Sequence, residues 1–230
     1  RMTISTPDLV TVRLSLQVAL TAVLISLPSA IGLGYVLAKY KFKGKFILQN
    51  IIDLPLVLPP VVTGYFLLIL MGPNGPVGSV LQSVFHIRIA FTWFGAALAS
   101  AVVSYPLMVR SIRSSFLSLD PRLELVSKSL GITPWKTFMQ ISLPLAGNGI
   151  IAGCLLAFAR SIGEFGATIM IAGDIPGQTR TIPLAIYSLS NTVGGIESGW
   201  PLVLIAVILS SFSLFIGEIF ERKNKNHEYS

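Results

Sequence analysis

Few side chains in this chain could do chemistry, and those that could are charges set in apolar sequence. In "RSIGEFGAT" (residues 160–168) Arg160 and Glu164 stand four apart, flanked by Gly163 and Gly166. That spacing puts opposite charges on one helical face. Charges at membrane depth pair with one another or face water. The pair either holds the end of a helix or borders a path along which an arginine helps an anion pass without trapping it. Asp53 is a second such charge, followed by Pro55, Pro59, Pro60 and Thr63. Proline removes a backbone donor and breaks a helix, so this stretch is either a kink supported by its neighbours or a place where freed carbonyls and Thr63 line a conduit. Cys154 is the only cysteine, and His86 and His227 are the only histidines. These exclude an internal disulfide and argue against a metal cluster or a histidine-based catalytic site.

The elements that must hold these residues are long and oily. Of 230 residues, 53% are apolar and 12% charged, and the mean hydropathy is +0.75. A soluble domain of this size has too little interior to hide that surface. Charge-free runs cover residues 14–38, 89–109, 137–159 and 200–217. A fifth covers residues 54–87, its second half loop-like; the span it belongs to begins near Phe46 and so includes Asp53. Each approaches the roughly 20 residues a helix needs to cross a bilayer. The reading is an all-α, polytopic membrane protein with five transmembrane helices in one domain, residues 1–230. The first run is too long for a cleaved signal core, and a lysine-rich loop follows it rather than a cleavage site.

Twelve of the seventeen basic residues fall in three segments that alternating topology puts on one side. These are Lys39, Lys41, Lys43 and Lys45; Arg110, Arg113, Arg122, Lys128 and Lys136; and Arg222, Lys223 and Lys225. The positive-inside bias makes that side the cytoplasm, with the N-terminus outside and the C-terminus inside. Arg1, Arg13, Arg88 and Arg180 fall on the other side, where Arg13 and Arg88 read as interface anchors. The net charge of +7 follows the membrane and needs no nucleic-acid partner. An apolar stretch in the second outer segment, "TIPLAIYSLSNTVGG", is too short to cross and reads as a re-entrant or interfacial helix.

Between the third and fourth spans lies "ELVSKSLGITPWKTFMQISLPL". Asp120-Pro121 is a helix start, with Glu124 in the first turn. Leu123, Val126 and Leu130 line one face before Gly131, a natural stop. Thr133-Pro134 starts a second helix that runs toward Pro144. The product is a pair of short helices at the cytoplasmic face, either resting on the membrane or inserting into a groove on a soluble partner.

The spacing Glu124, Gly131, Ile141-x-Leu143-Pro144 resembles the EAA signature of ABC-importer permeases, with Leu125-Val126 in place of Ala-Ala. The resemblance implies a type I importer fold. It also implies that residues 120–144, with Glu124, Ser127, Gly131, Pro134, Ile141, Leu143 and Pro144, form coupling helices that dock into an ATP-hydrolysing subunit. "DLPLVLPPVVTGY", "SYPLMVRSIR", "LAFARSIGEFGATI" and "IPGQTRTIPLAIY" are similar to the molybdate permeases, over about residues 8–221. From that follow the expected partners: a second copy of the chain, two ATP-binding cassette subunits carrying ATP and Mg, and an extracytoplasmic molybdate-binding protein. Asp53, Pro59, Pro60, Thr63, Arg160, Glu164 and Gly166 are the candidate translocation path. No G-x-x-x-x-G-K-[ST] occurs, so this chain holds no P-loop, no cofactor is expected in it, and it makes no covalent chemistry. A sulfate or thiosulfate permease differs only in cargo. A self-sufficient secondary anion transporter predicts internal repeats and leaves the Glu-Gly-Ile-Leu-Pro spacing unexplained.

Overall fold

The computed structural model describes residues 6–192 and 195–226, so Arg1, Gly194 and His227 lie outside the described residues. All regular structure among these residues is helical. Helix α1 (Thr6–Lys39) and helix α5 (Trp93–Leu117) are long enough to cross a membrane unaided. So is α12 (Gly195–Asn226), through its apolar stretch Glu197–Phe220. Two bent helix pairs also pass the test of length and apolarity when each is taken as one. Helices α2 (Lys45–Val57) and α3 (Pro60–Met71) meet at 111°, and the run Pro134–Leu145 meets α9 (Gly147–Ile162) at 66°. Counting each pair once gives the expected five.

The broken pairs refine the boundaries read from charge alone. The uncharged run 137–159 is not one helix. Its first part is α7 (Pro134–Thr137), a π-turn (Phe138–Ser142) and α8 (Leu143–Leu145). Pro144 has no N–H to offer the preceding turn, a cause of such widened turns. Helix α9 starts only at Gly147 and is about 24 Å long. After a break it continues as α10 (Gly166–Ala172). The outer stretch read as loop contains a helix, α4 (Pro76–Phe85), with proline in its first turn. The nine-residue α11 (Ile182–Ser190) is too short to cross, as its sequence implied. It is fixed to the first helix by the Ser15 hydroxyl, which accepts the Ile182 N–H at 2.7 Å.

The core is α5 wrapped by α1 on one side and α9 on the other. Its contact surfaces are made of small residues: Ala19, Ala22, Ala30, Ala96, Ala97, Ala99, Ala152 and Ala157 are fully buried. In hydrocarbon, helices associate by close packing rather than by a solvent-driven effect, and small residues permit the approach. The pair Gly149-x-x-x-Gly153 does this on α9. A methyl group on Gly149 would fall 2.3 Å from Ser115 Cβ, and one on Gly153 would fall 3.2 Å from the Met108 carbonyl oxygen. Ser111 and Ser115 donate hydrogen bonds across the same seam, to the carbonyls of Gly149 and Ala146. By contrast, α12 leaves Leu204, Val207, Ile208, Phe212, Phe215 and Ile219 exposed, the surface of a helix facing lipid.

Gly149→Leu is therefore expected to force α9 off α5, an overpacking cost of about 1–3 kcal/mol. Gly147→Ala, where an added Cβ meets nothing within 4 Å, should be tolerated. Thermal unfolding of the two purified variants checks the contrast, and equal midpoints would refute the seam.

Candidate functional site: the short-helix knob and the abutting helix breaks

Helices α6 (Pro121–Ser129) and α7 form the knob, the pair of short helices read from sequence. The Asp120 carboxylate accepts the Arg122 N–H at 2.9 Å. Gly131 takes φ +73°, in the left-handed region. There the Ile132 N–H reaches the Ser127 carbonyl and the Gly131 N–H the Lys128 carbonyl, each at 3.1 Å. Those two bonds make a Schellman stop, which closes the orphan carbonyls of α6. Thr133 offers its side chain to no backbone N–H, so only half of the second start signal is realised. Its carbonyl accepts the Thr137 hydroxyl at 3.2 Å. Ser127 and Thr137, both buried, lie 2.6 Å apart and tie the two short helices together.

Glu124 has a role that sequence alone did not supply. Its carboxylate is 3.1 Å from Lys39 Nζ, at the end of α1, and accepts the Ser142 hydroxyl at 3.2 Å. It fastens the knob to the body of the protein rather than projecting from it. Leu143 joins the core cluster around Phe116, and Ile141 is half-buried, whereas Pro134 and Pro144 are exposed. Phe138 stacks on Tyr35 and Phe116, with ring centroids 4.7 and 6.2 Å away. The outward surface is apolar: Leu125, Leu130 and Trp135 are 65%, 72% and 66% exposed. Trp135 was not singled out in sequence; a tryptophan beside Lys136 in a segment followed by an apolar run reads equally as a membrane-interface residue.

In the membrane body the two helix breaks abut. A methyl group on Gly166 would lie 3.0 Å from Pro60 Cβ, and one on Gly64 would lie 2.6 Å from the Ala167 carbonyl oxygen. Backbone thus rests on backbone where α3 crosses α10. Arg160 and Glu164 do pair, Nη1 to Oε2 at 2.7 Å. They do so across the end of α9, not along one helix, because α9 stops at Ile162. Glu164 Oε1 accepts the Ala167 N–H at 2.8 Å, so the same carboxylate caps α10. The Glu164 side chain is 1% exposed and that of Arg160 31%, so Arg160 is the more open member of the pair. Thr63 is buried and its hydroxyl has no partner among the described atoms.

Asp53 lies apart from this junction. It pairs in a two-pronged contact with Arg110 of α5, Nε to Oδ1 at 2.9 Å and Nη2 to Oδ2 at 2.7 Å. Gln49, one turn earlier on α2, faces the Arg113 guanidinium. Arg110 stood in the sequence only as a basic residue of the inner segment. Fifty-seven residues of separation hid its partner.

Residues 30–226 match the family described as binding-protein-dependent transport system inner membrane component. The chain is 48% identical over 221 residues to the molybdenum transport system permease protein ModB of Escherichia coli K12, covering 96% of each. It is 48% identical over 212 residues to the protein of that name from Haemophilus influenzae, covering 92% of this chain and 93% of that one. The sulfate transport system permease protein CysW of Escherichia coli K12 is 32% identical over 226 residues, 96% of this chain and 76% of that one. Among solved structures, one of inward-facing conformations of the MetNI methionine ABC transporter superposes with a TM-score of 0.64 at 15% identity, covering 96% and 99% of the chains. The chain belongs to the inner membrane components of binding-protein-dependent transport systems. It is a multi-pass membrane protein with an ABC-importer permease fold.

Removing Arg160 alone should strand a buried Glu164 carboxylate, whereas Arg160→Ala with Glu164→Gln should recover part of the loss. A cost of about 2 kcal/mol is expected for the single change, below the 3–5 of fully buried pairs because Arg160 is partly open. A double-mutant cycle on thermal unfolding measures the coupling, and additive effects would show that the pair does not hold the break.

Proposed function

We propose that this chain is the membrane-spanning subunit of an ATP-driven ABC importer for molybdate or tungstate. It is a transport subunit and not itself an enzyme. The observation that carries the cargo is the 48% identity, over 96% of both chains, to a relative named for molybdenum transport. The sulfate-named relative is more distant, at 32%, so sulfate stays the alternative. The conduit would be enclosed by two copies of the chain about a two-fold axis. An extracytoplasmic molybdate-binding protein would deliver the anion, and two ATPase subunits bearing ATP and Mg would grip the two knobs.

The exposed apolar surface of Leu125, Leu130 and Trp135, on a rigid base, supports the docking role of residues 120–144. Glu124 and Ser127 would keep the knob stiff, and Gly131 would set the angle between its helices. Pro134, Ile141, Leu143 and Pro144 would carry the displacement into α9. The junction of Pro59, Pro60 and Gly166 would border the path, with Arg160 touching the anion and Glu164 and Thr63 behind it. Asp53 would meet the path nearer the cytoplasm. ATP binding would draw the knobs together and open the halves outward, and hydrolysis would return them inward.

Gly131→Val tests the coupling. Open space surrounds Gly131, so the penalty is one of backbone alone, roughly 1 kcal/mol or more at φ +73°. The variant should remain folded but lose the stimulation of ATP hydrolysis by the loaded binding protein. Normal stimulation would refute the docking assignment.

Orientation is tested separately in a Cys154→Ala background. A cysteine at Asn74 should react with an impermeant thiol reagent in intact cells, and one at Ser129 should not. The opposite pattern would reverse the topology.

A further inference from the structure

Helix α2 is held to the body by little apolar packing. Ile52 is its single buried residue, while Phe46, Ile47, Ile51, Leu54 and Val57 are exposed. Beside Ile52 sits the fork between Asp53 and Arg110. The Arg110 side chain is 58% exposed and that of Asp53 29%. Where water reaches it, a pair this open contributes little to stability, so two charges kept beside apolar sequence call for a role beyond fastening α2. Ionisable groups within a membrane-spanning segment face the bundle interior or a water-filled cavity. Arg110 is seven residues from the end of α5, about 10 Å from its cytoplasmic terminus. Arg113 lies three residues further on, and exposed Ser114 one turn further, toward the same end.

The N–H fork of a guanidinium fits two oxygens of a tetrahedral oxyanion as well as it fits a carboxylate. We propose that Arg110 is an exit contact for the transported oxyanion, and that Asp53 is its built-in competitor. In the inward-facing state the dianion takes two oxygens into the Arg110 fork in place of Asp53. The return of Asp53 to the fork then expels it toward Arg113, Ser114 and the cytoplasm. The small net strength of an exposed pair, a poor fastening, suits a competitor that must yield to the anion and then displace it. This role rests on the importer reading above.

The test uses the whole transporter in proteoliposomes whose cytoplasmic face is toward the bath, with loaded binding protein in the lumen. Bath molybdate then acts as product. Asp53→Asn should be inhibited by bath molybdate at a concentration roughly fivefold lower than wild type, the order set by losing one partly exposed competitor. Asp53→Glu, which keeps the carboxylate, should need more bath molybdate for inhibition than Asp53→Asn. Asp53→Asn combined with Arg110→Gln should lose the gain. Equal inhibition of wild type and Asp53→Asn, or a gain that survives Arg110→Gln, would overturn the proposal. If Asp53→Asn does not assemble, hydrogen exchange on the nucleotide-free wild type decides. Millimolar molybdate should speed exchange across residues 45–57, and no change would overturn the proposal. Should the wild type carry sulfate and not molybdate, the cargo assignment falls, and the same comparison run with sulfate decides the role of Arg110.

Discussion

In hydrocarbon no water is available to take a backbone N–H or C=O, so each break in a membrane helix must find internal partners. Of the helix breaks in this chain, those at α2–α3 and α9–α10 are set against each other. At α2–α3 two consecutive prolines stand at the bend, and neither brings an N–H that would need an acceptor. At α9–α10 the Ala167 N–H is taken by Glu164 Oε1. Burying that carboxylate requires a counter-charge, which Arg160 supplies one turn earlier. Close crossing of α3 and α10 requires glycine at 64 and 166. The sequence features that look like separate curiosities (a diproline, a GEFG stretch, an Arg–Glu pair) are thus consequences of one constraint.

The knob at the other end is built on the opposite principle: it is stiff inside and apolar outside. Its internal contacts are polar and short-range, from Asp120 to Arg122, Ser127 to Thr137 and Ile132 to Ser127. Its links to the body run through Glu124 to both Lys39 and Ser142, and through Phe138 to Tyr35 and Phe116. These links tie the knob to α1 and α5 directly, and to α9 through the π-turn and the bend before Gly147. Rigid elements with discrete arrangements are what energetic coupling needs.

The knob was legible in the sequence because its signals are local. An N-cap, a proline, a glycine stop and a second proline act within a few residues, and each is realised except the Thr133 side-chain cap. The long crossings were legible from charge-free length. Their true ends were not, because hydropathy is blind to a bend: residues 137–146 are as oily as the helix that follows, yet turn 66° away from it. Helix α4 was missed for the complementary reason, since its flanking glycines and prolines resemble loop punctuation. Partners remote in sequence stayed hidden. Asp53 with Arg110 and Ser15 with Ile182 join residues that only packing brings together.

Three arginines share one arrangement. Arg160, Arg110 and Arg180 each lie 2.7 Å from a carboxylate oxygen, of Glu164, Asp53 and Asp174. A lone guanidinium would suit a dianion too well. At 4 Å and an effective dielectric near 20, two unit charges already attract by about 4 kcal/mol, and a dianion doubles that. A few such contacts in series would hold the ion, and turnover would stop. A carboxylate beside each guanidinium removes most of the net attraction but leaves the hydrogen-bond geometry that recognises tetrahedral oxygens. On the proposed path, the pairing of Arg160 with Glu164 and of Arg110 with Asp53 would by the same means keep the anion from being trapped.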